Sequence, residues 1–314
     1  MTNCNNACFV TGAHMDIAAR LFASPVAGSS NPGKLVLQPG GAGLNAASVA
    51  ASLGLSSSLA GPVGDDGHGV EIRKAVAARG IQDHLVTISG QPSGTYTAVM
   101  APDGEMVIGI ADLALYEMVD APWFAMHCRA ALDAATLWFL SANLDAGALV
   151  ELAEMAGTAG HRLLAAATVS PAKAVRLRPC LSRLDIIFTN LKEARALVDA
   201  PGADAVALAR LLIASGTRSG VISQGAGPAI FWENGTTGTI SPPRVEKIVD
   251  VNGAGDALAG ATLAGLAKGR TLAEALPSAI IAAQMTLASP EPFVEGLDLA
   301  RLDALAAGIN ASQI

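Results

Sequence analysis

Aromatic residues are scarce in this chain of 314 residues: they make up 4% of it, although hydrophobic residues as a whole make up 51%. Rings cannot fill the core, so small side chains such as those of Ala and Gly must let helices pack closely on a sheet. Long runs of Lys and Arg are also missing, and the formal net charge is −7. A nucleic-acid groove needs such clusters to displace counterions, so we expect no nucleic-acid partner.

Long apolar runs are absent as well, since no stretch of 18 apolar residues occurs, and we expect no membrane span. The first ten residues, MTNCNNACFV, have neither the basic nor the apolar region of a signal peptide, so we expect a cytoplasmic protein. The few cysteines are scattered: Cys4, Cys8, Cys128 and Cys180. A metal site with Cys4 and Cys8 lacks further ligands at finger spacing, and reduced structural thiols are the stronger interpretation.

Strand and helix patterns alternate along most of the chain. Helical patterns cover 44–53 and 69–79, and a glycine closes each of them. The alternation continues through 136–141, 145–159, 162–167, 184–188, 191–199, 204–215 and 219–223, and the last 60 residues are mostly helical. This order is typical of a mostly parallel sheet with helices on both faces, which we predict as a single α/β domain over residues 1–314.

Two β-rich stretches, at about 15–40 and 92–110, interrupt this alternation. In the second stretch, the runs GTYTAVM and EMVIGI flank the turn sequence Ala-Pro-Asp-Gly at 101–104, which predicts a hairpin. We expect the two stretches to form a small β lid over the α/β domain. Another hairpin is predicted at 229–240, around the Asn-Gly pair at 234–235.

The segment at 245–269, VEKIVDVNGAGDALAGATLAGLAKG, carries the clearest chemical pattern. We expect a short apolar strand that ends at Val251, then the turn Gly253-Ala254-Gly255, and then Asp256 at the start of a small-residue helix. Free backbone N–H groups and the positive helix end form an anion site. A carboxylate there can take a proton from an attacking hydroxyl during phosphoryl transfer. The alternative interpretation is a plain helix cap.

Two further segments favour the chemical interpretation. In QPGGAGLNAA, Gly41 lets a ligand approach the backbone, and Asn45 can both donate to and accept from vicinal hydroxyls. After the apolar run LDIIFT, Asn190 and Glu193 offer the hard oxygen ligands that suit Mg²⁺ or its waters, at a strand end where α/β sheets bind ligands. Taken alone, each segment can also be an ordinary helix start.

Together these segments resemble the ribokinase-like (PfkB) family of carbohydrate kinases, over nearly the whole chain. GAGD at 253–256 matches the C-terminal signature of the family, PGGAGLNAA at 39–47 its N-terminal signature, and Asn190 with Glu193 its N-x-x-E metal motif. The resemblance implies a ribokinase-like three-layer α/β/α sandwich with a small β lid. It also implies an ATP- and Mg²⁺-dependent kinase in which Asp256 is the base and the amides of Gly253, Ala254 and Gly255 form the anion hole.

The resemblance extends to other ligand-binding positions. A strand-like run, CFVTGAHMDIAARL, opens the fold. The resemblance implies that Asp16, at the end of the first strand, binds sugar hydroxyls, together with His14, which stands where the family usually has Asn. The implied nucleotide-binding residues are Ser223, Gly225 and Gly227. Asp250 lies where some relatives coordinate potassium, and relatives often form a homodimer through the lid.

Within the family, the chain is similar to the pseudouridine kinases. The matching segments are SNPGK at 30–34, Gly-Thr-Tyr at 94–96, DGEM at 103–106 and Ala-Asp-Leu at 111–113. This likeness places Tyr96 and Asp112 on the lid side of the substrate site. The implied reaction transfers the ATP γ-phosphate to the 5′-hydroxyl of pseudouridine.

Several residues depart from the family pattern, and alternatives stay open. Besides His14, these are Asn252 for the usual Thr, Ala167 for an expected Asp, and Pro228 for the usual Gly. Acceptors other than pseudouridine remain possible within the family: ribose, a ketose, a deoxy-sugar acid or adenosine.

Two interpretations lie outside this kinase family. A dinucleotide-binding oxidoreductase fits the G-x-G-x-x-A pattern at 41–46, but the preceding run is broken by proline. A nucleoside-binding protein without activity fits the fold, but such a protein has no need of a base at Asp256.

Overall fold

The computed structural model describes residues 6–158, 160, 163–289 and 293–314. The strands in this part of the chain are β1 (Asn6–Val10), β2 (His14–Leu21), β3 (Gly33–Gly40), β4 (Ser56–Gly64), β5 (Gln82–Ile88), β6 (Thr95–Met100), β7 (Met106–Asp112), β8 (Leu137–Ser141), β9 (Leu163–Ala167), β10 (Ile186–Asn190), β11 (Ser219–Gln224), β12 (Gly227–Glu233), β13 (Thr236–Ile240) and β14 (Ser312–Gln313).

The α-helices are α1 (Ala42–Ser52), α2 (Gly67–Ala78), α3 (Ala121–His127), α4 (Arg129–Ala134), α5 (Ala146–Thr158), α6 (Pro171–Ala174), α7 (Leu191–Leu197), α8 (Ala205–Ala214), α9 (Ala254–Ala267), α10 (Leu272–Leu287) and α11 (Leu299–Leu305). Two 3₁₀ helices cover Ala114–Met118 and Val175–Arg183.

The large sheet has the strand order β14-β13-β12-β11-β10-β9-β8-β1-β4-β5. All pairs from β11 to β5 are parallel, and the β11 edge continues as an antiparallel extension through β12, β13 and β14. The expected hairpin at 229–240 forms this extension and turns at Asn234, where φ is 49°. The predicted mostly parallel sheet is therefore confirmed.

Helices cover both faces of this sheet, which gives the predicted three layers. Phe9 and Phe139 point into one core with α1, α2, α9, α10 and α11. Trp138 and Leu140, their neighbours along the strands, point into a second core with the helices from α3 to α8. The strands are apolar on both faces because both faces are buried.

The lid is a separate four-stranded sheet with the order β3-β2-β6-β7. Its strands lie in the two stretches expected from the sequence, and β6 and β7 form the predicted hairpin around a turn closed by the Gly104 N–H and the Ala101 carbonyl. Only the β2–β6 pair is parallel, whereas the other pairs are antiparallel. The β2–β6–β7 arrangement places Tyr96 directly between Asp16 and Ala111.

Two expectations for strands are wrong. The run CFVTGAHMDIAARL is two strands, because the chain leaves the large sheet after Thr11 and joins the lid at Met15. The Thr11 N–H bonds to the Ala60 carbonyl, whereas the Met15 N–H bonds to the Gly94 carbonyl. Asp16 therefore lies within a lid strand and not at the end of β1. The expected strand that ends at Val251 is also missing, since residues 241–253 form no strand, and the backbone N–H groups of Val249 and Asp250 both bond to the Leu287 carbonyl at the end of α10. Two prolines at 242–243 deprive this segment of N–H donors.

In the described residues, no helix is both long and apolar enough to cross a membrane. Cys8, Cys128 and Cys180 are buried free thiols. Burial raises the pKa of Cys8 to about 12 and that of Cys128 to about 11, so these thiols stay protonated and unreactive. Cys4 lies outside the described residues, and the idea of a metal site with Cys8 therefore stays a hypothesis.

Candidate active site

A cavity of about 690 Å³ lies between the lid and the large sheet. Lid residues on its wall include Asp16 and Tyr96, and residues that follow or end the parallel strands include Asn143, Thr168 and Asn190. Open α/β sheets bind ligands at these carboxyl ends of the strands. The cavity is large enough for two small molecules placed end to end, as a transfer reaction requires.

The start of α9 has the backbone arrangement that an anion site requires, and the anion site itself stays a prediction. Gly253 is the N-cap, and its φ of 78° is a left-handed conformation that favours glycine. Ala254, Gly255 and Asp256 form the first turn, where backbone N–H groups have no acceptor within the helix. Gly253, Gly255 and Asp256 all line the cavity. These N–H groups and the positive end of α9 can therefore stabilise a phosphoryl group beside the Asp256 carboxylate.

Asp256 has the charge properties of a general base. Burial first, and then the negative charges of Asp16 and Glu193, raise the pKa of its carboxyl to about 6, although a hydrogen bond from Asn45 and the nearby His14 oppose the shift. Asp256 lies half-buried at the cavity wall. A carboxyl with such a pKa is ionised at neutral pH and is a far better proton acceptor than an ordinary Asp.

Asn45 connects the two signature segments. Its Nδ2 donates to Asp256 Oδ2 at 3.0 Å, and its Oδ1 is buried without a hydrogen-bond partner among the described residues. A buried acceptor left unpaired costs about 1–3 kcal/mol, so a hydroxyl donor from a ligand would be stabilised there. Binding of a ligand hydroxyl by this amide stays a prediction.

Gly41, the N-cap of α1, brings the backbone close to His14. Its φ is 98°, and a Cβ added there would lie 2.8 Å from the His14 ring, so only glycine fits. The strand before it, β3, belongs to the lid and is largely exposed. A dinucleotide-binding fingerprint follows a buried first strand instead, so the G-x-G-x-x-A pattern at 41–46 lacks the context of an oxidoreductase.

His14 and Asp16 form a fixed pair on the first lid strand. His14 Nε2 lies 3.3 Å from Asp16 Oδ1, and His14 Nδ1 lies 3.1 Å from the hydroxyl of Tyr116. Tyr116 is fully buried, and burial followed by the charge of Asp16 raises the pKa of its hydroxyl. Two partners hold the imidazole in one orientation, with Asp16 half-buried at the cavity wall and able to accept from ligand hydroxyls.

Asn190 and Glu193 begin α7 with a capping box. Asn190 Oδ1 accepts from the backbone N–H groups of Lys192 and Glu193, each at 3.0 Å, so the helix-start interpretation is correct, and the metal-binding role stays a prediction. Glu193 is buried, and its Oε2 accepts from the Asn190 N–H and from the Thr168 hydroxyl. Because the Asn190 oxygen already accepts two bonds, Oε1 of Glu193 is the better-placed oxygen for Mg²⁺ or its waters.

The structure does not bring every expected residue to the cavity. Ser223 and Asp250 line it, but Gly225 and Gly227 lie in and after the β11–β12 turn, outside its wall. Asp112 pairs with Thr95, one position along from Tyr96, so it faces the opposite side of the lid sheet. Asp250 Oδ1 accepts from the Asn252 N–H at 2.9 Å. In the described part of the chain, no group of three or more His, Cys, Asp or Glu residues has the arrangement of a metal site.

Comparison with known proteins agrees with this geometry. Residues 8–292 match the pfkB family carbohydrate kinase profile. The chain belongs to the pfkB family of carbohydrate kinases. It is 27% identical over 264 residues to the pseudouridine kinase of Escherichia coli (strain K12), covering 82% of this chain and 81% of that protein.

Solved structures with the same fold support the family assignment. A carbohydrate kinase from Agrobacterium tumefaciens superposes with a TM-score of 0.86 at 31% identity, covering 99% of this chain and 100% of that chain. Ribokinase from Arabidopsis thaliana, complexed with ribose and ATP, has a TM-score of 0.78 at 18% identity and covers 96% of this chain and 99% of that chain. The second likeness shows the fold alone.

Three residues in or near the cavity of this pfkB kinase were not predicted from the sequence: Tyr116, Thr168 and Lys173. Tyr116 lies in a 3₁₀ helix and reaches His14 only through the tertiary fold. Thr168 follows β9, whose pattern LLAAA did mark a strand end near the site. Lys173 lies on α6 after Ser170, which caps the helix, and the Ser-Pro pair at 170–171 was the available signal of a helix start.

Proposed function

We propose that this pfkB kinase transfers the γ-phosphate of ATP to the 5′-hydroxyl of pseudouridine. One observation carries the phosphotransfer: the Asp256 carboxyl, with a pKa of about 6, lies in the amide-rich first turn of α9 and bonds to Asn45 in a cavity that also contains Asp16. The choice of acceptor rests on the likeness to the E. coli pseudouridine kinase over four-fifths of both chains.

Asp256 acts as the base in the proposed reaction. Its carboxylate accepts the proton of the 5′-hydroxyl while that oxygen bonds to the γ-phosphorus and the bond to the leaving ADP oxygen breaks. The N–H groups of Gly253, Ala254 and Gly255 stabilise the charge on the moving phosphoryl group. Proton transfer to a well-placed base supplies roughly 10²–10⁴-fold in rate.

The lid and α1 hold the acceptor. Asp16 accepts hydrogen bonds from ribose hydroxyls, Asn45 Oδ1 gains its missing partner, and the Gly41 backbone allows close approach. Tyr96 covers the acceptor from the neighbouring lid strand, beside Asp16 in the register. Closure of the lid would exclude water and so prevent wasteful hydrolysis of ATP.

The nucleotide lies across the carboxyl ends of the strands, near Ser223 and the turn with Gly225 and Gly227. Mg²⁺, when bound with ATP, neutralises phosphate charge. The residues present fit Mg²⁺, because the buried Glu193 offers a free carboxylate oxygen. Glu193 is also close enough to Asp256 for its charge to raise the pKa of that carboxyl. Asp250 is the proposed contact for a potassium ion near the start of α9. An enzyme that uses ATP and keeps its thiols reduced fits a cytoplasmic location.

A second copy of this chain is the proposed partner of the lid. The outer face of the lid sheet exposes a row of large apolar side chains, Leu35 at 62%, Leu37 at 53%, Ile108 at 53% and Ile110 at 55%. Cross-strand register places these side chains on the face opposite Asp16 and Tyr96. Contiguous exposed apolar surface of this kind marks an interaction site, and a homodimer would bury it.

A coupled assay of ATP consumption tests the proposed acceptor. Pseudouridine, uridine, adenosine, ribose, fructose and a deoxy-sugar acid are supplied at equal concentration with Mg-ATP. The proposal predicts the highest kcat/KM for pseudouridine, with product phosphorylated at the 5′ position. A higher kcat/KM for any other acceptor in the panel would replace pseudouridine while leaving the kinase assignment in place.

A further inference from the structure

A second polar group lies in the cavity apart from the residues of phosphotransfer. Lys173 Nζ donates to Asn143 Oδ1 at 2.8 Å, and both residues line the cavity. Burial and, to a smaller extent, the charge of Arg176 lower the pKa of Lys173 to about 8 against the opposing effect of Glu117. An ammonium group offers three donors, so the bond to Asn143 leaves two for a ligand.

The support for this lysine is rigid. Arg176 donates to the backbone carbonyls of Asn143 and Leu144 at 3.1 and 3.2 Å, and to Glu117 Oε1 at 3.0 Å. Asn143 is itself buried. The contacts of Arg176 hold the Asn143 backbone in place, and the Asn143 carboxamide holds the Lys173 ammonium group at the cavity wall.

The backbone beside this lysine is strained. Val169 lines the cavity with φ at 59°, a left-handed conformation that a β-branched residue rarely adopts. Strain of this type costs about 1–3 kcal/mol and concentrates at ligand sites. Val169 separates Thr168, which bonds to Glu193, from Ser170, which caps the helix of Lys173. The strained residue thus connects the phosphotransfer residues to the lysine.

Lys173 and Asp256 face different parts of the cavity. The charges that act on Lys173 are those of Arg176 and Glu117. The charges that act on Asp256 are those of Asp16, Glu193 and His14. The α9 helix, which begins beside Asp256, packs in the core on one face of the large sheet, whereas Ala174, next to Lys173, packs in the core on the other face, so the two side chains reach the cavity from opposite layers. A ligand that fills the cavity from Asp256 would reach Lys173 with its far end.

We infer that Lys173, held by Asn143, donates a hydrogen bond to a carbonyl or carboxylate oxygen on the part of the acceptor remote from the phosphorylated hydroxyl. In the proposed function, on which this inference rests, that oxygen is a ring carbonyl of the pyrimidine base. Charge-assisted bonds to such oxygens are stronger than bonds between neutral groups. Lys173 therefore selects acceptors with this oxygen over sugars that carry only hydroxyls, such as ribose.

Calorimetric titration of the Lys173→Met variant tests the inference. Methionine keeps most of the side-chain volume and removes the donors. We expect Kd for pseudouridine and uridine to rise about 10- to 100-fold, while Kd for ribose changes less than about threefold. Lys173→Gln, which keeps an N–H donor, recovers part of the loss. Lys74→Met, on the exposed side of α2, is the matched control and changes neither value.

The outcomes separate the inference from the proposed function. An equal rise of Kd for nucleosides and ribose, or a fall in the melting temperature with loss of ATP binding, would assign Lys173 a structural role and overturn the inference. Unchanged values for every acceptor would overturn it too. If the wild-type enzyme binds no nucleoside, the proposed function fails. The inference then requires that a deoxy-sugar acid binds through its carboxylate and that Lys173→Met weakens this binding. Exclusive binding of ribose or fructose would overturn both the inference about Lys173 and the proposed function.

Discussion

Asn45 and Asp256 are 211 positions apart in sequence, and a hydrogen bond of 3.0 Å joins their side chains. The bond connects α1, which follows the lid, to α9, which provides the anion site. In the proposed reaction, the residue that contacts the acceptor is therefore in direct contact with the base. That reaction would couple acceptor binding at Asn45 to proton transfer to Asp256 through one amide group.

This coupling predicts a pH dependence. Because the pKa of Asp256 is raised to about 6, the base is protonated below that pH, and kcat/KM falls as the pH decreases through about 6. Asn45 donates to the ionised carboxylate and so stabilises it, and Asn45→Ala moves the acidic limb to higher pH. Steady-state rates between pH 4.5 and 9 measure the acidic limb of the wild-type enzyme and that of Asn45→Ala. An acidic limb that stays in place in Asn45→Ala would show that the bond does not tune the base.

The same raised pKa predicts an effect on stability. A carboxyl whose pKa is higher in the folded than in the unfolded state binds more protons when folded, so stability is lost as the pH rises from about 4 to about 6. Asp256→Asn removes this charge and should raise the melting temperature at pH 8 but not at pH 4. Thermal melts at the two pH values check the difference, and an equal shift at both would contradict the charge effect.

Asp16→Ala mainly weakens acceptor binding, because this carboxylate lines the cavity beside His14 and acts on Asp256 only through its charge. We expect the directly measured acceptor Kd to rise about 10- to 100-fold, while the ATP Kd is unchanged. Asp133→Ala, an exposed acid on α4, serves as the control. Retention of acceptor affinity in Asp16→Ala would remove Asp16 from the acceptor site.

The outer face of the lid should hold two copies of the chain together. Replacing both Leu37 and Ile110 with Glu places charges in this face, and we expect the dimer to dissociate to monomers. Val70→Glu changes an equally exposed apolar residue on α2 and should leave the dimer intact. Light scattering after gel filtration gives the masses. A monomeric wild-type protein, or a double variant that stays dimeric, would contradict this arrangement.

Potassium should activate the enzyme through Asp250, which lies in the segment before α9 and lines the cavity. We expect faster turnover in KCl than in tetramethylammonium chloride at equal ionic strength, and a smaller difference in Asp250→Ala. Equal rates of the wild-type enzyme in the two salts would exclude a potassium site at this position.

Local patterns predicted the helices and the hairpins well, because their capping residues and turns act over a few positions. The helix that starts beside Asp256 and the lid hairpin around 101–104 are examples. The break after Thr11 was missed because apolar residues continue across it while the chain changes sheets. Tyr116 and Lys173 were missed because their contacts, with His14 and Asn143, form only in the tertiary fold.

The role of Asp256 is tested most directly by single-turnover phosphorylation with the Asp256→Asn variant, at saturating ATP and acceptor. The variant keeps an oxygen that can accept from Asn45 but cannot take the proton. We expect unchanged ATP binding and a chemical step slowed by roughly 10²–10⁴-fold. A chemical step within about threefold of the wild-type rate would contradict this expectation.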